Sequence, residues 1–191
     1  MSATLRAPAN MTVAEFLEWC PDDGQRWQLI DGEPVAMAPA KVGHGVLQAL
    51  VAARLVTHLA DRRSPCTVVT APGVVPKVRA DFNFRVPDLA VTCAPVAAND
   101  VMLREPVLVV EILSAGNARD TWANVWAYAS MPSVKEILVL RTATRCAELL
   151  RRDAQGEWPA RPLIVTDGTL ELDSIGYAAP IEALYPAGVG Q

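Results

Sequence analysis

The chain has 191 residues, 51% of them hydrophobic and 20% charged, with a net charge of −4 and a pI near 5.2. That balance excludes a disordered chain and predicts one globular domain over residues 11–184, with terminal tails at 1–10 and 185–191. No apolar run reaches the roughly 18–20 residues that cross a bilayer, and Met1 to Asn10 lack a signal-type stretch, so a cytoplasmic protein without membrane contact is expected; the acidic balance also excludes a broad electrostatic footprint for nucleic acid, leaving only a local basic patch.

In chain order, Met11 to Trp19 predicts a short helix, because Thr12 and Glu15 have capping-box spacing and Val13, Phe16 and Leu17 share a face. Arg26 to Met37 carries two short apolar stretches about Asp31-Gly32, a dipeptide suited to a tight hairpin turn. From His44 to Asp61, Leu47, Leu50, Val51 and Leu55 recur at helical spacing. A β-rich stretch follows, with strands expected over Cys66 to Thr70, Val74 to Val78 and Val86 to Thr92, then a central buried strand over Val107 to Leu113. Asn117 to Met131 returns to helical spacing, and Glu136 to Leu140 completes a strand, helix, strand crossover of a mixed α/β sheet. Short strands are expected at Ala147 to Arg152, Pro162 to Val165 and Thr169 to Leu172, and a helical turn at Pro180 to Leu184.

Cys20, Cys66, Cys93 and Cys146 form no C-x-x-C pair, and the only histidines are His44 and His58, so reduced core thiols are expected rather than a zinc site. Two acidic residues interrupt apolar β runs: Asp88 in Val86-Pro87-Asp88-Leu89, and Glu111 in Val109-Val110-Glu111-Ile112. A buried carboxylate needs a cation, a hydrogen-bond donor or solvent. If the two strands are neighbours and both side chains face one side, a divalent cation between them relieves their repulsion, and such a cation activates water for phosphodiester hydrolysis. The plainer alternatives are that Glu111 pairs with a buried arginine and that Asp88 caps a turn after Pro87.

Taken together, Leu29-Ile30-Asp31-Gly32-Glu33, Pro87-Asp88, Val110-Glu111-Ile112-Leu113-Ser114, Asp120, Tyr128 and Lys135-Glu136-Ile137-Leu138 resemble, in order and spacing, the Uma-type restriction endonuclease family of the PD-(D/E)XK superfamily, from about Met11 to Leu184. The resemblance implies an α/β fold of the α+β mixed-sheet kind, a restriction-endonuclease-like core behind an N-terminal helix and hairpin. It implies Mg²⁺ or Mn²⁺ held by Asp88 and Glu111, with the Ile112 carbonyl as a further ligand, DNA as the partner, and a homodimer. The superfamily's lysine usually follows the glutamate by two residues, where this chain has Leu113. In the Uma-type branch it lies on the next helix, where this chain has Asn124. Many relatives have glutamate before the Leu-Ile-Asp-Gly-Glu segment, where this chain has Gln28.

Helical spacing puts Asp120, Asn124 and Tyr128 on one stripe, opposite much of the Trp122, Val125 and Trp126 face, so that Asn124 points back towards Glu111 and the tryptophans are core or interface residues. An asparagine positions a water or a phosphate oxygen but brings no charge, so a substitute cation must come from Lys41, Lys77, Lys135 or an arginine such as Arg79 or Arg85. Lys77 and Arg79 are the candidates to face DNA phosphates, with solvated charges as the plainer reading, and His44 opens the long helix as a cap or as a group facing the cleft. The functional expectation is a metal-dependent endonuclease in which Asp88 and Glu111 hold the metal, Gln28 supports it, and Asn124 orients the phosphate or the water. The alternatives are a weakened domain that binds nucleic acid or a protein without cutting, and a hydrolase of another phosphate ester.

Overall fold

A computed structural model describes residues 10–19, 24–114, 116 and 118–185. Helix α1 (Val13–Trp19) opens with the expected capping box: the Thr12 N–H donates to Glu15 Oε2 at 2.7 Å and the Glu15 N–H to Thr12 Oγ1 at 3.3 Å. Pro21 to Gly24, a breaker sequence expected to end the helix, lie outside the described residues except for Gly24. Strands β1 (Trp27–Ile30) and β2 (Glu33–Ala36) form the expected hairpin. At its turn Asp31 and Gly32 have φ of 51° and 90°, the positive values that a tight two-residue turn demands. Gly32 is required on a second ground, since a Cβ there would stand 2.9 Å from Asn10 Cα.

Helix α2 (Val42–Asp61) buries Leu47, Val51, Leu55 and Leu59 at four-residue intervals, each contributing roughly 1.5–3 kcal/mol of transfer free energy. Beneath it runs a six-stranded sheet in the order β3-β4-β5-β6-β7-β8: β3 (Thr67–Thr70), β4 (Leu89–Thr92), β5 (Pro106–Leu113), β6 (Glu136–Arg141), β7 (Ala147–Arg151) and β8 (Leu163–Val165). Only β5 and β6 pair in parallel, joined by the crossover helix α3 (Ala118–Ala129). The strand expected to be central is an inner strand of the sheet, and the mixed α/β class is the one found. Period-two alternation sorts the sheet's side chains: Leu89, Val91, Leu108, Val110 and Ile112 meet α2, while Ala90, Val109, Ile137 and Val139 join Val125 and Tyr128 of α3. A third cluster, Met11, Phe16, Leu29, Phe84 and Val86, ties α1 and the hairpin to the strand approach.

The chain closes with β9 (Thr169–Leu172), β10 (Tyr177–Pro180) and a 3₁₀ turn at Ile181–Leu184. Leu170, Leu172, Ile175, Tyr177, Ile181, Leu184 and Tyr185 complete the core on the α2 side. The far half of α2 is tied down there: Arg54 Nε donates to the Ala183 carbonyl at 3.1 Å, and His58 Nε2 lies 3.0 Å from the Ile175 carbonyl.

Four expectations are corrected. Val74 to Val78 is not a strand: Pro72 and Pro76 remove ladder donors, and only Val74 bridges, to Arg85. Pro87 likewise delays β4 to Leu89. Cys66 and Cys93 are not free thiols but a disulfide, because the β3–β4 register pairs Thr67 with Thr92 and brings the flanking positions together. Of the two alternatives for the tryptophans, core or interface, the core one fails for Trp126, which is 53% exposed, while Val125 carries the buried face and Trp122 packs only partly. No described helix is long and apolar enough to cross a membrane.

Candidate functional site

Leu89 of β4 pairs with Val110 of β5. One step further along the same antiparallel register, Asp88 stands opposite Glu111 at the point where Pro87 ends the ladder. The Ile112 N–H donates to Asp88 Oδ2 at 2.7 Å, and His44 Nε2 lies 2.8 Å from Asp88 Oδ1. One turn along α2, Gln48 Nε2 donates to the Asp88 carbonyl at 2.8 Å. His44 Nδ1 is 3.4 Å from Ser114 Oγ just past β5, so α2 grips both strand ends, and His44 is an orienting partner of Asp88 rather than a cap.

Glu111 is buried and faces α3, where the Tyr128 hydroxyl donates to its Oε1 at 2.8 Å. Burial, and next the neighbouring Asp88, push the Glu111 carboxyl well above the ordinary carboxylate range, with the Tyr128 hydrogen bond opposing them. The Tyr128 phenol is pushed well up in turn, by burial and by Glu111. A facing carboxyl pair is stable when a proton or a cation lies between its members. Two hard oxygen donors at one strand end fit a magnesium-type ion, which keeps most of its waters and takes one or two carboxylates. A richer cage is absent: among the described residues no group of three or more His, Cys, Asp and Glu is placed to hold a metal.

The other expected residues divide. Ile112 is at the centre, through the N–H on Asp88. Asn124 is buried one turn before Tyr128 but does not bond Glu111; its Oδ1 accepts from Arg85 NH1 at 2.8 Å. The α3 stripe therefore does reach the carboxylates, through Tyr128. Gln28 is buried on β1, and its side-chain oxygen has no hydrogen-bond partner among the described residues. Lys77 is exposed, its backbone N–H on Ser130 Oγ, and Arg79 is exposed with NH1 3.3 Å from Asp31 Oδ1. Both stand in the loop before a 3₁₀ turn, not on a strand.

An open cleft of about 790 Å³ is walled by Asp31, Asn83, Arg85, Arg119, Asn124 and Trp126, among others; Asp88 and Glu111 are not on its wall. Sequence reasoning gave Tyr128 no role on Glu111 and Gln48 none at all. The available signals were the four-residue spacings, Asn124 to Tyr128 and His44 to Gln48, which set each pair on one helix face.

Comparison with known proteins agrees with this architecture. A protein of Synechocystis sp., described as "Uncharacterized protein slr1290", is 25% identical over 178 residues, 92% of this chain and 92% of that protein. A crystal structure described as a putative nuclease belonging to DUF820, from Anabaena variabilis, superimposes with a TM-score of 0.73 at 16% identity, covering 92% of this chain and 97% of the other. The expected fold is thus the fold of that neighbour. The Uma2 family, described as "Putative restriction endonuclease", matches residues 13–181, and the chain belongs to it.

Proposed function

We propose that this protein is a metal-dependent endonuclease that hydrolyses DNA phosphodiester bonds, with Asp88 and Glu111 as the ligands of Mg²⁺ or Mn²⁺ and the Ile112 carbonyl beside them. The observation that carries the reading is the apposition of the two carboxyl groups in one strand register, one of them buried and pushed towards its protonated form. When bound, a hard divalent ion supplies the neutralising charge on the attacked phosphate and the activation of its water nucleophile. The protein's own part is orientation. His44 and the Ile112 N–H fix the two oxygens of Asp88, Gln48 anchors its backbone, and Tyr128 fixes Glu111. Asn124, its oxygen held by Arg85, keeps its amide N–H groups for a phosphate oxygen or a water. The family's description and that of the structural neighbour support a nuclease.

The second reading, a domain that binds nucleic acid without cutting, is favoured by one observation: the cleft opens on Arg85 and Asn124 and not on the carboxylates. Calorimetric titration of Mg²⁺ and Mn²⁺, followed by incubation with supercoiled plasmid, separates the two. Binding and nicking support the endonuclease; duplex binding without either supports the non-cutting domain.

The raised Glu111 carboxyl adds a signature. Metal requires the carboxylate, so the affinity for Mg²⁺ is expected to climb as pH rises through the folded-state value of Glu111, with a proton released on binding. Titrations in buffers of different ionisation enthalpy read that proton, and Glu111→Gln is expected to abolish both the binding and the release. A pH-independent affinity would contradict the assignment of Glu111 as ligand.

A further inference from the structure

Arg85 is a buried guanidinium, 6% exposed, without an acidic partner at ion-pairing distance among the described residues. It is held by neutral oxygens. Nε and NH2 donate to Asn83 Oδ1 at 3.2 and 2.9 Å, and NH1 donates to Asn124 Oδ1 at 2.8 Å. Asn83 is itself fixed, its amide on Asp31 Oδ1 and on the Val78 and Arg79 carbonyls. The backbone beneath is locked by the reciprocal Val74–Arg85 bridge.

A guanidinium has five N–H donors, and three are used in these bonds, which leaves two. Removing such a charge from water costs several kcal/mol unless an opposite charge repays it. Two amide oxygens repay part of it through dipoles, and burial does lower the Arg85 proton affinity. The side chain is nonetheless positioned in full, and it stands on the wall of the cleft beside Asn124. A rigid, buried cation that opens on a cleft, with no carboxylate in contact and one, Asp31, behind Asn83 and already paired with Arg79, favouring its charge from a distance, is built for an anion from outside, and the planar fork matches two oxygens of a phosphate.

We propose that Arg85 is the phosphate-binding cation of the site: it receives a backbone phosphate of the nucleic acid in the cleft and brings to the neighbourhood of Asn124 the positive charge that Asn124 itself lacks. The proposal rests on the nucleic-acid reading above and adds the residue that grips the substrate. It also assigns Asn83 and Asn124 as positioning residues, each spending its side-chain oxygen on the guanidinium.

The test is binding of a short fluorescein-labelled DNA duplex, followed by anisotropy in EDTA over a range of salt, so that cutting and metal binding do not enter. Arg85→Gln is expected to weaken binding about tenfold, the effect of one charged hydrogen-bonded contact, and to lower the slope of log K against log salt by about one. Asn124→Asp keeps the arginine but neutralises it with an internal carboxylate, and is expected to cause the same two changes, whether or not Arg85→Gln folds well. Arg85→Gln combined with Asn124→Lys moves the charge across the former hydrogen bond and should recover the slope. Wild-type affinity and slope in either single variant would overturn the role of Arg85 while leaving the metal ligands untouched. A wild-type protein that binds no duplex at low salt would overturn the nucleic-acid reading and this one with it.

Discussion

Alanine at Asp88 or at Glu111 is expected to lower plasmid cutting by about a thousandfold or more, since a bound divalent ion contributes several kcal/mol to the barrier and each 1.36 kcal/mol is about tenfold in rate. The two variants should differ in stability. Asp88→Ala removes the acceptor of the Ile112 N–H and the partner of His44, leaving a buried donor unsatisfied at a cost of about 1–3 kcal/mol. Glu111→Ala strands the Tyr128 hydroxyl but also removes a carboxyl that burial and Asp88 already penalise.

Glu111→Gln isolates the second effect, because the amide oxygen still accepts from Tyr128. A carboxyl raised in the folded state contributes stability that is present below its unfolded value and lost as pH rises through its folded value. The metal-free Gln variant should therefore melt higher than wild type at neutral pH, with the gap closing in acid, while its cutting is lost. Plasmid assays beside melting curves across pH read both quantities. Cutting that survives both alanine substitutions would end the endonuclease reading.

The largest loss of stability is expected far from the site, at Glu136. This carboxylate starts β6 fully buried, with Arg151 Nε at 2.6 Å and the N–H groups of Asp173 and Ser174 at 3.0 and 2.8 Å. One side chain thus joins β6, β7 and the turn after β9. Glu136→Ala leaves the two N–H groups unanswered and takes one acceptor from Arg151, which keeps Asp173 Oδ2 at 2.9 Å and the Glu171 carbonyl at 2.6 Å; at about 1–3 kcal/mol for each buried donor left unsatisfied, the cost is about 3–5 kcal/mol. For a chain of this size that corresponds to a fall in Tm of about 10 °C. Glu136→Gln retains one or two of the bonds and should fall by less. Calorimetric melting of the three proteins checks the order, and an alanine variant within about 2 °C of wild type would show that the network is not stabilising.

Much of this was open to sequence reasoning, for reasons that particular residues make plain. Asp31-Gly32 announces a hairpin because few other dipeptides tolerate positive φ at both positions, and β5-α3-β6 is legible because a continuous apolar run gives way to helical spacing and then returns. Asp88 and Glu111 stood out as charges in apolar runs. What escaped depends on pairing across the sheet or on local geometry that composition blurs. Val74 and Val75 look like a strand until the flanking prolines are counted as missing donors. Tyr177-Ala178-Ala179-Pro180 has little β character of its own and is a strand because β9 supplies a partner. The Cys66–Cys93 link follows from the β3–β4 register, which a spacing of 27 residues does not reveal. Arg85 could be named as a spare cation, but only the fold shows it packed between two asparagines.

The seal on α2 has a consequence for how the protein is made. The apolar face of this helix, Leu47 to Leu59, is covered partly by sheet and partly by residues between Leu170 and Tyr185. Synthesis proceeds from the N-terminus, and α2 leaves the ribosome long before those closing residues have emerged. A nascent chain therefore carries half-covered leucines until β9 and β10 have emerged, so a stalled or truncated product lacking those strands should be prone to aggregate and should recruit holding chaperones.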